Sequence, residues 1–484
     1  MDKKIYISTT GTVIVPYTKK QSMQLERLTH MKDFGLKYKW NPVNGFDMDG
    51  FFVTHHFPLF FWKNEFPDYA IEYRDFVTQA FMPNDVSFDL SDDYEITGPQ
   101  FGVIKGVLYD LNHTKWFINC PQGFGKTFMS IFLMHHYRVN TLVMCYSTDI
   151  LEQWKEKIEE YSNFPMSRVL TIDSGKLISA IIADEFPKDD YNVFLATPGI
   201  FTKYGNKYGY ENIHLLFKKL GIGLKIYDEA HRNLGNITKI DALTSVAKTI
   251  YLSGDFAQAS KYKTMYMKRM FENVPILRPD DDVAFDMRYT IAAVVEYNSQ
   301  PTDMDVVNCI GKRGMDVWHY MNYQMEKGTL MRVIYWILDK IVSMKEDNRR
   351  ILVLTSMIEH CDIMYDEISS RYDNIMVGKY HGENDPEDNK NTKNNAQLIV
   401  ATYQSFSTGI DTTYIKYVIS TSMSNRVEDS QASGRARPLA DGENCMFWML
   451  VDVGFERLVK KEEERIEYLK QVKVKDVIKL QYTE

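Results

Sequence analysis

Two kinds of hydrophobic pattern divide the chain into regions with different predicted folds. Up to about residue 92, short apolar stretches around turn-forming residues predict hairpins and a helix, and therefore a small α+β domain. From residue 93 onward, short continuous apolar runs alternate with longer helical stretches, a pattern typical of parallel strands joined by crossover helices. The strands predicted from this second pattern are Trp116–Asn119, Thr141–Cys145, Val193–Ala196, Leu224–Tyr227, Thr249–Leu252, Ala292–Tyr297, Arg350–Leu354, Ile375–Val377, Leu398–Ala401, Tyr417–Ser420 and Phe447–Val451.

An acidic segment at Leu277–Asp282 interrupts the α/β pattern and divides it into two consecutive domains. The predicted domains are a small N-terminal domain over 1–92, a first α/β domain over 93–285, a second α/β domain over 286–455, and a charged helix with a tail over 456–484. The acidic run Asn84–Glu95 is predicted to be a linker. The patch Glu383–Asn395, rich in Asn, Asp and Lys, is predicted to be a mobile loop.

Composition narrows the class of protein. The chain has 484 residues, of which 25% are charged, and a net charge of −8. This charge argues against a protein that coats nucleic acid by overall attraction, although it leaves room for a local basic groove. The five cysteines are scattered without CxxC spacing, so neither a zinc site nor a disulfide framework is expected and a reducing cytoplasm fits best. The most apolar stretch near the start is too short to span a membrane, and no membrane partner is expected.

The strongest chemical signal is the glycine-rich segment Cys120–Thr127, which reads CPQGFGKT. The backbone N–H groups around Gly123 and Gly125 can hold phosphates, and Lys126 can reach the β- and γ-phosphates. The Thr127 hydroxyl can bind Mg²⁺. The segment therefore predicts a site for a nucleoside triphosphate, with ATP and Mg²⁺ as the expected ligands.

The second signal is the run Asp228-Glu229-Ala230-His231, which follows a mostly apolar predicted strand. At the end of a parallel strand, Asp228 can hold Mg²⁺ and Glu229 can orient and deprotonate the attacking water. His231 is predicted to couple the nucleotide site to the second domain, through Gln431, in preference to acting as a general base. Together with the glycine-rich segment, this run predicts ATP hydrolysis.

The second α/β domain has charged residues of its own. Arg435 and Arg437 flank one small residue at a glycine turn, where arginines can stabilise transition-state charge on a phosphoryl group. We predict that these two arginines are catalytic. Gly409 and Asp411, in the run Thr-Gly-Ile-Asp, are predicted to contact the nucleotide and to transmit closure of the two domains.

The order and spacing of these motifs over about residues 95–455 resemble helicase superfamily 2. The resemblance implies two tandem RecA-like parallel-sheet domains after the small α+β N-terminal domain. It implies that Gln100 reads adenine and that Ser253 belongs to the coupling motif. It also implies nucleic-acid contacts for a set of hydroxyl residues, which bind phosphates without reading bases: Ser147, Thr148, Thr197, Thr355, Ser356, Thr402 and Ser405.

Within that superfamily the chain is similar to the UvsW-type recombination helicases of tailed bacteriophages. The similarity lies in Phe406–Ile410, in the small N-terminal domain and in the charged helix that ends the chain. It implies a motor on double-stranded or branched DNA, including Holliday junctions, stalled forks and RNA–DNA hybrids. The implied setting is the cytoplasm of an infected bacterium, with phage recombination or replication proteins as partners.

Three residues depart from the family pattern, and two alternatives remain open. Asp255 stands where the coupling motif usually has Thr, Pro438 follows Arg437 where many relatives have a further arginine, and Cys120 replaces the usual Ala or Gly. One alternative is a nucleotide-gated clamp or annealing protein with slow ATPase activity. The other is a motor on duplex RNA or on RNA–DNA hybrids. Directional movement distinguishes a motor from a clamp.

Overall fold

The structure, a computed structural model, forms two compact units, Met1–Asp280 and Asp281–Glu484. The residues it describes are 3–8, 11–15, 35–39, 49–53, 59–73, 79–121, 123–209, 211–244, 246–254, 274–286, 288–311, 314–344, 349–407, 415–421, 429, 432–436, 443–472 and 474–483.

The first unit begins with a five-stranded sheet of mixed direction, in the order β3-β4-β2-β1-β5. Its strands and the helix before β5 are β1 (Lys4–Ser8), β2 (Gly11–Val15), β3 (Gly35–Lys39), β4 (Asp49–Val53), α1 (Leu59–Glu65) and β5 (Ala70–Tyr73). The β1–β2 and β3–β4 pairs are antiparallel, in agreement with the predicted hairpins. β5 pairs with β1 in parallel.

The first unit continues with a seven-stranded parallel sheet in the order β12-β6-β11-β10-β7-β9-β8. Its strands are β6 (Lys115–Asn119), β7 (Thr141–Met144), β8 (Val169–Ile172), β9 (Val193–Ala196), β10 (Leu224–Tyr227), β11 (Lys248–Ser253) and β12 (Ile276–Leu277). Every residue of β7, β9 and β10 is buried, as expected for a parallel sheet that is covered on both faces. The five strands predicted here are confirmed; β8, which is half-buried, and the two-residue β12 were not predicted.

Eight helices of the first unit lie among the described residues. After α1 they are α2 (Gly98–Leu108), α3 (Lys126–Tyr137), α4 (Thr148–Tyr161), α5 (Gly175–Ile182), α6 (Pro198–Tyr208), α7 (Glu211–Leu220) and α8 (Leu234–Leu243). In α4 the buried residues Ile150, Leu151, Trp154 and Ile158 recur at helical spacing and form one apolar face. The opposite face of α4 is charged.

The acidic run Asn84–Glu95 packs on the first unit and is not a free linker, so the sequence prediction was wrong here. Phe88 is fully buried and Val86 nearly so. The backbone N–H of Ser91 donates to the Tyr161 carbonyl, and the Arg138 side chain donates to the Val86 carbonyl. The many acidic residues of this run favoured the prediction of a linker, although its few apolar residues hold it in place.

The second unit is built on another seven-stranded parallel sheet, in the order β17-β18-β16-β19-β20-β13-β21, with a small separate hairpin of β14 and β15. The strands are β13 (Thr290–Tyr297), β14 (Ile310–Gly311), β15 (Gly314–Met315), β16 (Arg350–Thr355), β17 (Val377–Tyr380), β18 (Leu398–Thr402), β19 (Ile415–Ser420), β20 (Cys445–Asp452) and β21 (Val474–Gln481). The helices are α9 (Asp281–Asp286), α10 (Asp303–Asn308), α11 (Val317–Lys327), α12 (Thr329–Ser343), α13 (Ile358–Arg371), α14 (Pro386–Asn395), α15 (Tyr403–Ser407) and α16 (Glu456–Val472). Two tandem parallel-sheet α/β domains are therefore confirmed.

One prediction for the second unit needs correction, and one strand was not predicted. The patch predicted as a mobile loop contains α14, because Asp385 caps the helix and Pro386 occupies its first position. The tail after α16 contains β21, which pairs with β13 from Thr290 to Glu296. β21 is an edge strand with mostly exposed side chains, so its sequence lacks the apolar run that marked the inner strands.

None of the helices in the described part of the chain is both long and apolar enough to cross a membrane.

Candidate functional site

The glycine-rich segment joins β6 to α3, as a phosphate-binding loop requires. Gly125 is the N-cap of α3 with φ 85°, in the left-handed region, and no side chain caps this helix. A Cβ atom at Gly125 would approach Gln100 Nε2 to 2.4 Å, so both the backbone angle and the space favour glycine. The first N–H groups of α3 are therefore available for an anion.

Lys126 folds back on this loop. Its Nζ donates to the carbonyls of Cys120, at 3.0 Å, and Pro121, at 3.2 Å. Burial raises the pKa of the Cys120 thiol to about 12, so this cysteine is a packing residue and not a reactive thiolate. The neighbouring Thr127 is half-buried at the start of α3. The loop thus presents one ammonium group, one hydroxyl and free backbone donors, which suit a triphosphate with its Mg²⁺.

Gln100 supports the loop from α2. Thr97 and Gln100 form a capping box at the start of that helix, and Gln100 Nε2 donates to the Phe124 carbonyl at 2.9 Å. Both ends of the Gln100 amide are therefore engaged with protein atoms. Its predicted contact with adenine stays a prediction.

The acidic motif follows β10, as predicted. Asp228 lies at the end of the strand, and its backbone N–H donates to the Met144 carbonyl at 2.9 Å. Burial, and then the charge of Glu229, raise the pKa of Asp228 to about 6. Glu229 has φ 47°, a left-handed conformation that costs a non-glycine residue about 1–2 kcal/mol. Such strain is typical of residues whose side chains are held in place for chemistry.

Trp154 is a site residue that the sequence analysis did not identify. It is buried, and its Nε1 donates to Asp228 Oδ2 at 2.9 Å. The other carboxylate oxygen, Oδ1, accepts from the backbone N–H of Glu229 at 3.0 Å. A tryptophan at a helical core position gives no sequence signal that its indole N–H will donate to a carboxylate of the acidic motif.

The predicted coupling residues of the first unit lie together. His231 Nδ1 is 2.8 Å from Ser253 Oγ and 3.2 Å from Glu229 Oε2. Both His231 and Ser253 are buried. A path of hydrogen-bonding groups thus leads from the glutamate to the end of β11.

Two residues predicted to contact nucleic acid lie at helix starts that have no side-chain cap. Ser147 precedes α4 and Thr197 precedes α6, and neither side chain caps its helix. The hydroxyls of Ser147 and Thr355 are buried, with no hydrogen-bond partner among the described residues. Other helices do have an N-cap side chain that accepts a hydrogen bond from the first turn. These N-cap residues are Thr97, Ser174, Thr302, Asp316 and Asp385.

The other predicted contacts vary in their surroundings. Thr148 is exposed and Ser356 is half-buried. Thr402 Oγ1 donates to Ser405 Oγ at 2.9 Å, which closes the turn into α15. Within the described residues, no group of three or more His, Cys, Asp or Glu side chains could hold a metal.

Arg435 is half-buried, and its backbone N–H donates to the Ala432 carbonyl at 3.0 Å. Four predicted site residues, together with Asp255 of the coupling motif, lie outside the described residues. The four are Gly409, Asp411, Gln431 and Arg437.

Family models match both parallel-sheet units. A model described as type III restriction enzyme, res subunit, matches residues 93–257, and a helicase conserved C-terminal domain matches residues 333–438. Together they cover more than half of the chain. The chain belongs to helicase superfamily 2. It is accordingly an ATP-hydrolysing enzyme of the helicase type.

Individual relatives of this helicase are distant. The XPB helicase/translocase subunit of general transcription and DNA repair factor IIH from Encephalitozoon cuniculi (strain GB-M1) is 29% identical over 112 residues, which are 23% of this chain and 16% of that protein. The chain therefore matches about a sixth of that relative's length.

Two solved structures show the range of structural similarity. The S. cerevisiae Dbp5 structure bound to RNA and ADP BeF3 has a TM-score of 0.50 at 14% identity, over 81% of this chain and 95% of that one. It supports the fold alone. The crystal structure of T4 UvsW covers 99% of this chain and 100% of that one at 17% identity, but its TM-score of 0.34 is too low to support an argument.

Proposed function

We propose that this helicase is an ATP-driven motor that remodels double-stranded or branched DNA, by branch migration of Holliday junctions and regression of forks. The proposal rests on the buried hydroxyls of Ser147 and Thr355, which have no hydrogen-bond partner within the described part of the chain and which each lie beside a helix start without a side-chain cap. Hydroxyls and helix N-termini bind phosphates of any sequence, as a motor requires.

The proposed hydrolysis uses residues of the first unit. The backbone around Gly123 and Gly125, with Lys126, binds and orients the triphosphate, and Thr127 with Asp228 holds Mg²⁺. When bound, Mg²⁺ neutralises charge on the β- and γ-phosphates. Trp154 fixes the orientation of Asp228. Glu229 orients the attacking water and accepts its proton.

The remaining residues have proposed roles in the coupling of hydrolysis to movement. Arg435 and Arg437 stabilise charge on the transferred phosphoryl group, and Gly409 and Asp411 respond to the nucleotide. His231 and Ser253 couple the position of Glu229 to the end of β11, through the contacts of His231 with both residues. Gln100 reads adenine, and Gln431 is the expected partner of His231 in the second unit.

The proposed nucleic-acid track comprises the hydroxyl residues of both units. It consists of Ser147, Thr148, Thr197, Thr355, Ser356, Thr402 and Ser405. None of these side chains distinguishes bases, so the preference for branched DNA rests on the similarity to UvsW-type phage helicases. The same similarity makes phage recombination and replication proteins the proposed partners, in the cytoplasm of an infected bacterium.

A synthetic four-way DNA junction with homologous arms tests the proposal on a native gel. With ATP, but not with a non-hydrolysable analogue, the junction is expected to convert to two forked duplexes. A junction that is shifted but unresolved with both nucleotides would instead indicate a nucleotide-gated clamp. Conversion of a matched RNA duplex or RNA–DNA hybrid, with no conversion of DNA, would indicate an RNA motor.

A further inference from the structure

The C-terminal helix α16 reaches the segment that carries Arg435. Asp429 lies six residues before Arg435 and is fully buried. Arg465 of α16 binds the Asp429 carboxylate through two nitrogens, with Nη2 donating to Oδ1 at 2.9 Å and Nε donating to Oδ2. This fork geometry fixes direction as well as distance, which a lysine could not do.

Apolar residues of the same helix pack with that segment in one buried cluster. Ile466 and Leu469 of α16 belong to one buried cluster with Ala432 and Ala436, the residues on either side of the Arg435 turn. The hydroxyl of Thr290 donates to the Ser433 carbonyl at 3.4 Å. The backbone around Arg435 is therefore held by apolar packing with α16 and by a hydrogen bond from β13.

α16 is itself fixed to the sheet. Lys479 of β21 is 2.9 Å from the buried carboxylate of Glu462, and Arg288 donates to the Lys470 carbonyl at 2.9 Å. β21 continues the sheet alongside β13. The elements after β20 are therefore an integral part of the second unit, and a displacement of α16 would reach the Arg435 turn.

A buried ion pair of this kind is poorly explained by stability alone. Removal of two charges from water has a free-energy cost about as large as the gain from their mutual attraction. An apolar pair at the same position would therefore often stabilise the fold equally well. Burial lowers the pKa of Arg465, but the Asp429 carboxylate more than offsets this and leaves the pKa raised. Arg465 thus stays charged, and its two hydrogen bonds to Asp429 keep the directional geometry of the pair.

We propose that Arg465 is a positioning residue for Arg435: through Asp429 it holds the arginine turn in the orientation that ATP hydrolysis requires. This inference rests on the proposed catalytic role of Arg435. It assigns to the C-terminal helix a part in the reaction, although the helix contributes no residue to the phosphate-binding loop or to the acidic motif.

The test compares variants of the full chain by nucleic-acid-stimulated ATP turnover, by binding of a fluorescent ADP analogue and by thermal melting. Arg465→Met and Arg465→Lys are expected to lower kcat by about 10- to 100-fold, the effect of a displacement of about 1 Å. The Kd for the ADP analogue should change by less than about twofold, because the phosphate-binding loop lies in the first unit. Lys460→Met on the exposed face of the same helix is the control and should leave kcat unchanged.

The variant Asp429→Leu/Arg465→Leu covers the case in which Arg465→Met does not fold. It removes both charges together, which buried pairs often tolerate, and should fold yet show the same loss of kcat. If this variant melts as the native protein does and turns over ATP at the native rate, the inference is overturned.

A double-mutant cycle separates positioning from general support of the fold. Because Arg465 acts through Arg435, addition of Arg465→Met to Arg435→Ala should cause no further loss of kcat. Additive losses would overturn the inference. If Arg435→Ala itself leaves kcat unchanged, the catalytic role of Arg435 fails and the inference fails with it; if Arg435→Ala lowers kcat and the Arg465 variants do not, the inference alone fails.

Discussion

The two units hold their charged site residues in different ways. In the first unit Lys126 is held by its own loop, and Asp228 is held by Trp154, which lies between the two motifs in the sequence. In the second unit the Arg435 turn is anchored through Asp429 by Arg465, which lies on a later helix. The support of the first site therefore lies within the stretch of chain that its motifs span, whereas the support of the second comes from a residue beyond its motif.

The two units also differ in the chemistry that they present. The first contains the ammonium and carboxylate groups proposed to bind a triphosphate and activate water. The predicted residues of the second that the structure describes are hydroxyls and one arginine. We therefore expect substitutions of the ammonium, carboxylate and arginine groups to reduce turnover, and substitutions of the hydroxyl residues of either unit to weaken its response to nucleic acid.

Lys126→Ala should have the largest effect. Loss of the ammonium group removes the charge that stabilises the phosphoryl transition state, and ATP turnover should fall by about a thousandfold or more. Steady-state ATP hydrolysis measures this, and circular dichroism should show an unchanged fold. Lys105→Ala, at an exposed position of α2, is the control. Native turnover by Lys126→Ala would remove the basis for the assigned site.

Glu229→Gln should come next. The amide cannot accept a proton, so turnover should fall by about 100- to 10,000-fold while ATP binding persists. Binding of a fluorescent ATP analogue and single-turnover hydrolysis measure the two effects separately. The matched control is Glu159→Gln, on the exposed face of α4. An equal loss of binding and turnover would contradict the role of Glu229 in water activation.

Trp154→Phe should have a smaller effect. A hydrogen bond to a charged group contributes about 1.5–3 kcal/mol, so kcat should fall by about 10- to 100-fold. The Mg²⁺ concentration for half-maximal turnover should rise, because Asp228 loses its orientation. Trp318→Phe, at a half-exposed position in the second unit, controls for loss of an indole ring. An unchanged Mg²⁺ dependence would show that the Trp154 hydrogen bond to Asp228 is only structural.

The last expected effect, that of Asp228→Asn, is on the stability of the nucleotide-free protein. The folded-state pKa of Asp228, about 6, exceeds its ordinary value of 3.8, so the ionised carboxylate destabilises the fold. Protonation of Asp228 therefore stabilises the folded state relative to the unfolded state. This stabilisation is complete below pH 3.8 and is lost as pH rises through about 6. The variant should therefore melt higher at pH 8, by up to about 3 kcal/mol in free energy of unfolding, with little difference at pH 4.

The control for this pH dependence is Asp173→Asn, because Asp173 is exposed in the same unit. Its melting temperature should follow that of the native protein at both pH values. A destabilised Asp228→Asn at pH 8 would contradict the stated direction.

Sequence reasoning located the inner strands and placed the glycine-rich segment and the acidic run at the ends of strands, because buried parallel strands and glycine turns leave strong local signals. It did not find β21, since an edge strand carries exposed polar residues and receives its hydrogen bonds from β13. It misread Asn84–Glu95, where a few apolar residues decide the packing of an acidic run. The roles of Trp154 and Arg465 were not predicted. Their partners, Asp228 and Asp429, lie 74 and 36 residues away along the chain, and no local sequence pattern encodes such contacts.

The central claim is that ATP hydrolysis is coupled to nucleic acid, and the rate of ATP hydrolysis with and without duplex DNA tests it most directly. We expect duplex DNA to raise the rate by about tenfold or more. The double variant Ser147→Ala/Thr355→Val should lose most of this rise and keep the basal rate. A basal rate that neither DNA nor RNA changes would contradict the account.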